Sequence, residues 1–311
     1  MTSDCSSGCE ASRTIRADAA RLGREIPSLT PLLDAFIPLL AEQAAIQADD
    51  PGWSGEPPAF EPDVFCQGRP LLADAGFQDV TSGILPAAKR LLPVMATCFP
   101  GLGSEIEILG KALAADPGHA ADELADAASG GRSEPVLGMT PDAALFLARE
   151  CARPLARRQA ETLYPLIAGL PWRFAMCPVC GGKPSFSWFK KAQDDAEYIT
   201  GHGGPRFLRC ADCATWWRYK RVSCPGCGNE EPERLSFLRN PERPYERVDV
   251  CEECMAFLPC LDTTEMIHVP HPDVAALAML PLEIAIRDRG YHPLGVHPWS
   301  VVLPKDASRA A

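Results

Sequence analysis

Cys177-Pro178-Val179-Cys180-Gly181 recurs along the chain as Cys224-Pro225-Gly226-Cys227-Gly228. Between the two stands Cys210-Ala211-Asp212-Cys213, and after the second stands Cys251-Glu252-Glu253-Cys254. A Cys-x-x-Cys turn aims two thiolates at one point, and its backbone N–H groups offset their charge. Glycine after the second cysteine permits the left-handed conformation that closes such a turn. Two turns have that glycine and two lack it, in alternating order. Ser185-Phe186 follows the first glycine turn and Ser236-Phe237 the second, and Trp216 and Phe257 each sit three residues beyond a glycine-free turn. The pattern therefore reads as two copies of one unit. Each copy supplies four thiolates, enough for one tetrahedral metal site. The first site is expected from Cys177, Cys180, Cys210 and Cys213, and the second from Cys224, Cys227, Cys251 and Cys254. The repeat disfavours the cross-braced alternative, in which the first turn pairs with the third and the second with the fourth. A tetrathiolate site has no open coordination position, so a structural role is the plainest reading. Redox-active iron, or a surface that binds a partner or hands over metal, are the sharper ones. Zinc and iron both suit four thiolates.

Outward from the cysteines, the first half reads as helices. Thr30-Pro31 and Thr140-Pro141 look like caps with proline at the first helical position. Leu32, Leu33, Phe36, Leu39 and Leu40 recur on one helical face. Ser82 is a candidate cap for a helix carrying Ile84, Leu91 and Met95, which Pro86 and Pro93 weaken, and Pro154 is expected to kink or restart the helix after Thr140. The proline-rich stretch 51–70 reads as a loop. Aromatic residues crowd the region after Pro171 and suggest short strands. Asp273 is a candidate cap for a last helix ending at Gly290, interrupted at Pro281. The expected fold class is α+β: an N-terminal α-helical bundle over 12–170, two tandem rubredoxin-like or zinc-ribbon-like tetracysteine modules over 171–268, and a C-terminal helix and tail over 269–311 packing on the modules.

The chain has 311 residues, 46% of them hydrophobic and 23% charged, a composition that argues against wholesale disorder. Fourteen cysteines without a basic and apolar leader at the N-terminus point to a reducing, cytoplasmic setting and to metal rather than disulfides. No unbroken apolar run approaches the ~18 residues that span a bilayer, so no membrane helix is expected. A net charge of −11 disfavours a general polyanion binder. Cys177–Cys227 nevertheless holds eight Lys/Arg against four Asp/Glu, whereas Gly228–Cys254 holds four against eight. The basic residues balance a negatively charged metal site, or they form a face for a partner. The basic, aromatic run Trp216–Arg221 is expected as a strand between the modules, with Trp216, Arg218 and Lys220 on one face. Nucleic acid is the rival occupant of such a strand. His202, in Gly201–Gly204, is a weak extra metal candidate. Cys5, Cys9 and Cys260 fall outside the quartets, and no arrangement of nucleophile, base and orienting group marks an enzyme.

Met176-Cys-Pro-Val-Cys-Gly181 with Pro184, Arg206-Phe-Leu-Arg-Cys210, Trp217-x-x-x-Arg221-Val-x-Cys224, Cys251-x-x-Cys254 and Gly290-Tyr291 resemble the formate dehydrogenase accessory protein family, FdhE. The likeness is specific over about 172–300. It implies a cytoplasmic helper and not an enzyme, with a helical domain joined to two rubredoxin-like modules. It also implies iron as the metal of two Fe(Cys)4 sites held by the eight cysteines, and association with the catalytic subunit of formate dehydrogenase. A zinc-ribbon protein that binds nucleic acid and a rubredoxin-like electron carrier are the rival readings.

Overall fold

The computed structural model of the chain describes residues 9–78, 80–130, 134–191 and 204–302. Cys5 and His202 lie outside the described residues. The chain divides into two compact units. One comprises the residues up to Ser54 together with Phe77–Gln159, and the other comprises Gly55–Gly76 together with the residues from Ala160 onward.

The first unit is helical: α1 (Glu10–Glu25), α2 (Thr30–Asp49), α4 (Val80–Cys98), α5 (Gly103–Ala115), α6 (Pro117–Ser129) and the greater part of α7 (Pro141–Leu163). The third helix, α3 (Pro62–Cys66), belongs to the second unit and lies inside the stretch expected to be loop. Apolar residues spaced by three and four put Leu39, Ile84, Leu91, Met95, Leu109, Leu124 and Leu147 in the core, each fully buried. That burial outweighs four helix-interior prolines. Pro38, Pro86, Pro93 and Pro154 each remove a hydrogen bond, yet α2, α4 and α7 run on through them. A polar group is buried with its partners: Gln43 Nε2 donates to Glu150 Oε2 at 2.8 Å, and Arg153 pairs with Glu150 at 2.9 Å.

Several caps differ from expectation. Thr30 lies inside α2, because a 3-10 turn over Pro27–Leu29 runs directly into the helix. Ser82 lies inside α4, which begins at Val80. The segment Pro27–Asp49 is long and apolar enough, by length and composition, to cross a membrane, although Asp34 and Glu42 interrupt its apolar run. In the fold 56% of its window is buried, and it packs on α1 and α4 as a core helix does.

The second unit is built on a mixed seven-stranded sheet. Its strands are β1 (Pro184–Phe189), β2 (Arg206–Cys210), β3 (Trp216–Tyr219), β4 (Leu235–Asn240), β5 (Arg243–Cys251), β6 (Ala256–Asp262) and the two-residue β7 (His292–Pro293). The spatial order is β3-β2-β1-β6-β5-β4, with β7 beside β6. Each repeat is an antiparallel meander of three strands. The two meanders join head to tail through the parallel pair β1–β6, with Ser187 opposite Cys260 and Phe189 opposite Asp262. The α+β class with two tetracysteine modules is the observed one, and the modules share one sheet. The strand at Trp216 is the outer strand of that sheet, not a link between modules. It ends at Tyr219, with Trp217 buried and Arg218 exposed.

The C-terminal helix is broken at Met279 into α8 (Pro272–Ala278) and α9 (Leu280–Arg287), with Pro281 in the first turn of α9. The short α10 (Pro298–Val302) follows. The cap of α8 is His271, whose ring accepts from the Asp273 N–H at 3.3 Å. Asp273 itself pairs with the buried Arg209 of β2 at 2.7 Å, tying α8 to the sheet.

Candidate metal centres

The structure brings the four cysteine turns together as adjacent pairs. Cys177, Cys180, Cys210 and Cys213 form one cluster and Cys224, Cys227, Cys251 and Cys254 another, the sulfurs of each lying within 4.8 Å of one another. Specific Sγ···Sγ separations are 3.5 Å for Cys180–Cys210 and Cys180–Cys213, and 3.6 Å for Cys177–Cys213 and Cys224–Cys254. A disulfide needs about 2.05 Å. Tetrahedral coordination at a metal–sulfur distance of about 2.3 Å puts sulfurs about 3.8 Å apart. The geometry is therefore that of a metal cage, and each cluster can hold one metal ion.

Both glycine turns close alike. Gly181 N–H donates to the Cys177 carbonyl at 2.9 Å, and Gly228 N–H to the Cys224 carbonyl at 2.8 Å. The φ angles of Gly181 and Gly228 are +75° and +78°. The turns without glycine share the left-handed conformation: Ala214 and Met255, each directly after the second cysteine, have φ of 57° and 55°. Backbone donors reach the sulfurs. Gly182 N–H points at Cys180 Sγ (3.4 Å), Asp212 N–H at Cys210 Sγ (3.4 Å) and Gly226 N–H at Cys224 Sγ (3.3 Å). Gly182 is also a packing glycine, since a Cβ there would stand 2.4 Å from Asp212 Oδ2 and 3.0 Å from Cys210 Sγ.

Four thiols this close cannot all ionise unless a cation discharges them. Burial, the largest influence, raises the Cys210 thiol. Hydrogen bonds with Cys177, Cys210 and Cys213, and then burial, raise Cys180 well above the ordinary range. Burial also pushes on Cys251, but the N–H groups of Cys254 and Glu253 and its thiol neighbours outweigh it and hold that residue below the ordinary value. The two clusters differ in exposure. Three ligands of the first are buried and Cys180 is half-buried, whereas Cys227 of the second is exposed and Cys254 half-buried.

The excursion Gly55–Gly76 braces the first centre in a way that chain order conceals. Leu71 and Leu72 N–H donate to the carbonyls of Pro178 and Val179 at 2.9 and 2.8 Å. Phe65 of α3 packs on Trp172 at 4.7 Å. The cysteines outside the quartets hold no comparable cluster among the described residues. Cys260 is buried within the sheet, and burial pushes its thiol up to about 12, so it stays protonated. His297 is also structural: its Nε2 lies 2.9 Å from the Ser185 carbonyl and its ring stacks on Trp299.

The fold and the two cages define a class: a helical unit on the same chain as a sheet that carries two closed tetrathiolate sites. No family model matches the chain. In sequence it is similar to the FdhE homolog of Aquifex aeolicus, at 32% identity over 120 residues that make up 39% of this chain and 40% of that protein. It is also similar to the FdhE homolog of Rhizobium meliloti, at 30% over 135 residues, 42% of this chain and 40% of that one. The match thus spans only about two fifths of these relatives' length. In fold the chain matches the crystal structure of the FdhE protein from Pseudomonas aeruginosa, with a TM-score of 0.58 and 20% identity over 95% of both chains. The resemblance to FdhE carried by the cysteine turns is thus found again in alignment and in fold.

Proposed function

We propose that this chain is an accessory factor required for formate dehydrogenase activity, acting in the cytoplasm and binding the enzyme's catalytic subunit through its metal-bearing unit. The observation that carries the reading is the pair of closed tetrathiolate cages on one sheet, in a chain that is similar to FdhE proteins in sequence and in fold. A closed cage leaves no position for a substrate, which favours a binding role over catalysis.

The eight cysteines hold two metal ions, and iron is the assignment we favour, with zinc the alternative donor-compatible ion. Bound iron would supply a one-electron couple. The chain's own contribution is to fix four sulfurs and to direct the N–H groups of Gly182, Asp212 and Gly226 at them, which stabilises the charge of the loaded site. Two tests decide. Tagged full-length protein should copurify the formate dehydrogenase catalytic subunit, and failure to enrich it removes the accessory role. The purified protein should be red, with thiolate-to-iron absorption and two iron atoms per chain. A colourless protein carrying two zinc ions replaces iron with zinc and revives the zinc-ribbon reading.

A further inference from the structure

The two meanders are copies, but their equivalent edges are not equally covered. Pairing fixes the equivalence. Ser187 and Phe189 of β1 lie opposite Leu208 and Arg206, two and four residues before Cys210. Phe237 and Arg239 of β4 lie opposite Asp249 and Arg247, two and four residues before Cys251. Phe237 therefore stands where Ser187 stands in the first copy, and Arg239 where Phe189 stands. In the first copy the outer edge of this strand is filled by β6, running parallel, with Cys260 opposite Ser187 and Asp262 opposite Phe189. In the second copy the same edge, that of β4, has no partner strand among the described residues.

The face beside that edge is cationic and aromatic. Arg221 lies over the Phe189 ring at 4.8 Å, Arg247 over the same ring at 4.7 Å and over Phe237 at 5.1 Å, and Arg239 over Phe237 at 5.1 Å. This ladder of alternating guanidinium and ring crosses the module boundary. A cavity of about 190 Å³ opens along it, lined by Arg206, Arg221, Arg247, Leu235, Phe237 and Leu294 among others, next to Cys224 and Cys251 of the second cage. Phe237 is 52% exposed and Val222 beside the cavity is 56% exposed. Asp249 is the only acidic residue in the lining.

We infer that the β4 edge and its cavity take an extended, acidic segment of a partner protein, added parallel to β4 as β6 is added to β1. The segment would bring a small or apolar side chain opposite Phe237 and a carboxylate opposite Arg239. The precedent is internal: β6 brings Cys260 and the carboxylate Asp262 to the equivalent places. Main-chain hydrogen bonds give such an edge its affinity, and alternate side chains give it selectivity. A second copy of this chain is the competing occupant, since its β3, whose outer edge has no partner strand among the described residues, is the equivalent of β6. Counted from the preceding cysteine, β3 and the residues after it would bring Tyr219 and Arg221 to the places of Cys260 and Asp262. Arg221 would then face Arg239, like charge on like, so an acidic strand is favoured over self-association. That the partner is formate dehydrogenase rests on the function proposed above; the site itself does not.

The test uses full-length, metal-loaded protein and end-blocked fluorescent hexapeptides that alternate leucine or phenylalanine with glutamate, or with lysine. Fluorescence anisotropy should show salt-sensitive binding of the glutamate peptides and at least tenfold weaker binding of the lysine peptides. Arg239→Glu, an exposed change, should reverse that preference with metal content and circular dichroism unchanged. Arg218→Glu on the opposite edge of the sheet should leave it alone. Phe237→Ser should weaken both peptides. The inference falls if the glutamate peptides bind no better than the lysine ones, or if Arg239→Glu binds as the wild type does. It also falls if the wild type self-associates in a way that Arg239→Glu changes, or if a single-stranded oligonucleotide displaces the peptides. The two proposals fail differently. Formate dehydrogenase copurifying normally with Arg239→Glu removes that enzyme as the partner of this site and leaves the accessory role. Peptide binding without capture of the enzyme does the reverse.

Discussion

Ala214 and Met255 occupy the same place in the two repeats, one residue past Cys213 and Cys254, and both are held in the left-handed region, at φ of 57° and 55°. Their counterparts Gly181 and Gly228 have the same handedness at no steric cost. A side chain there costs about 1–2 kcal/mol, part of which glycine gives back through its freer unfolded chain. Met255→Gly should therefore stabilise the loaded protein by about 0.5–1 kcal/mol, since the side chain is 38% exposed and loses little packing. Gly228→Ala should cost about 1 kcal/mol, because open space surrounds the new methyl group. Gly181→Ala should cost more, with Pro70 Cγ 3.2 Å from the added carbon. Urea midpoints of the loaded variants give the ranking, and equal losses at Gly181 and Gly228 would contradict it.

The grouping of ligands predicts which metal leaves with which cysteine. Cys177→Ser should empty the site shared with Cys180, Cys210 and Cys213 and leave the other loaded, halving the metal per chain. Cys251→Ser should do the same for the second site. Three thiolates and a hydroxyl forgo much of the ~10–16 kcal/mol that a full structural site supplies. Metal analysis of the two single variants and the double variant checks this. A single variant that loses both ions would mean that the two cages form cooperatively.

The clusters were legible because the code is local: a turn of four residues, a glycine after it, and a repeat that matches each turn with the next. The sheet was not legible at the same level. Strand existence followed from aromatic crowding, but the union of β1 with β6 joins residues more than seventy positions apart, and no local pattern carries it. The position of Trp216–Tyr219 went astray for that reason, since a chain segment between two modules need not lie between them in space. The excursion Gly55–Gly76 was opaque too, because its partners Pro178 and Val179 contribute only backbone carbonyls. At Thr30 and Ser82 the cap residues were present but the helices began earlier. At Asp273 the side chain was drawn to Arg209 instead.

Chelation should separate the two units and the two cages. The second centre should release metal first, because Cys227 is exposed and Cys254 half-buried, whereas the first centre exposes no ligand fully. Loss of both ions should unravel the sheet, whose meanders are too small to stand without them. The helical unit, with its own core around Leu91, Met95 and Leu124, should keep most of its signal. Chelator titration followed at once by metal release and by far-UV circular dichroism gives the order. Helix that melts together with the first ion released would mean that the two units fold as one.

Glu283 on α9 is fully buried in the second unit. Burial, the largest influence, raises its carboxyl from 4.5 to about 8, against the smaller opposing effects of Arg287 and Trp299. The folded protein therefore binds a proton that the unfolded chain has released. The stabilisation due to this group is complete below about pH 4.5, declines as pH rises towards 8, and changes no further above that. Glu283→Gln keeps the shape and the neutral form but cannot ionise. Its stability relative to the wild type should rise with pH between about 5.5 and 8, by up to about 1.4 kcal/mol per unit. The cysteine ligands titrate in both proteins, so the difference isolates Glu283. Urea unfolding of the two loaded proteins across that range measures it. A difference that stays flat, or that falls as pH rises, would mean that Glu283 is ionised in the fold and that Arg287 holds it so.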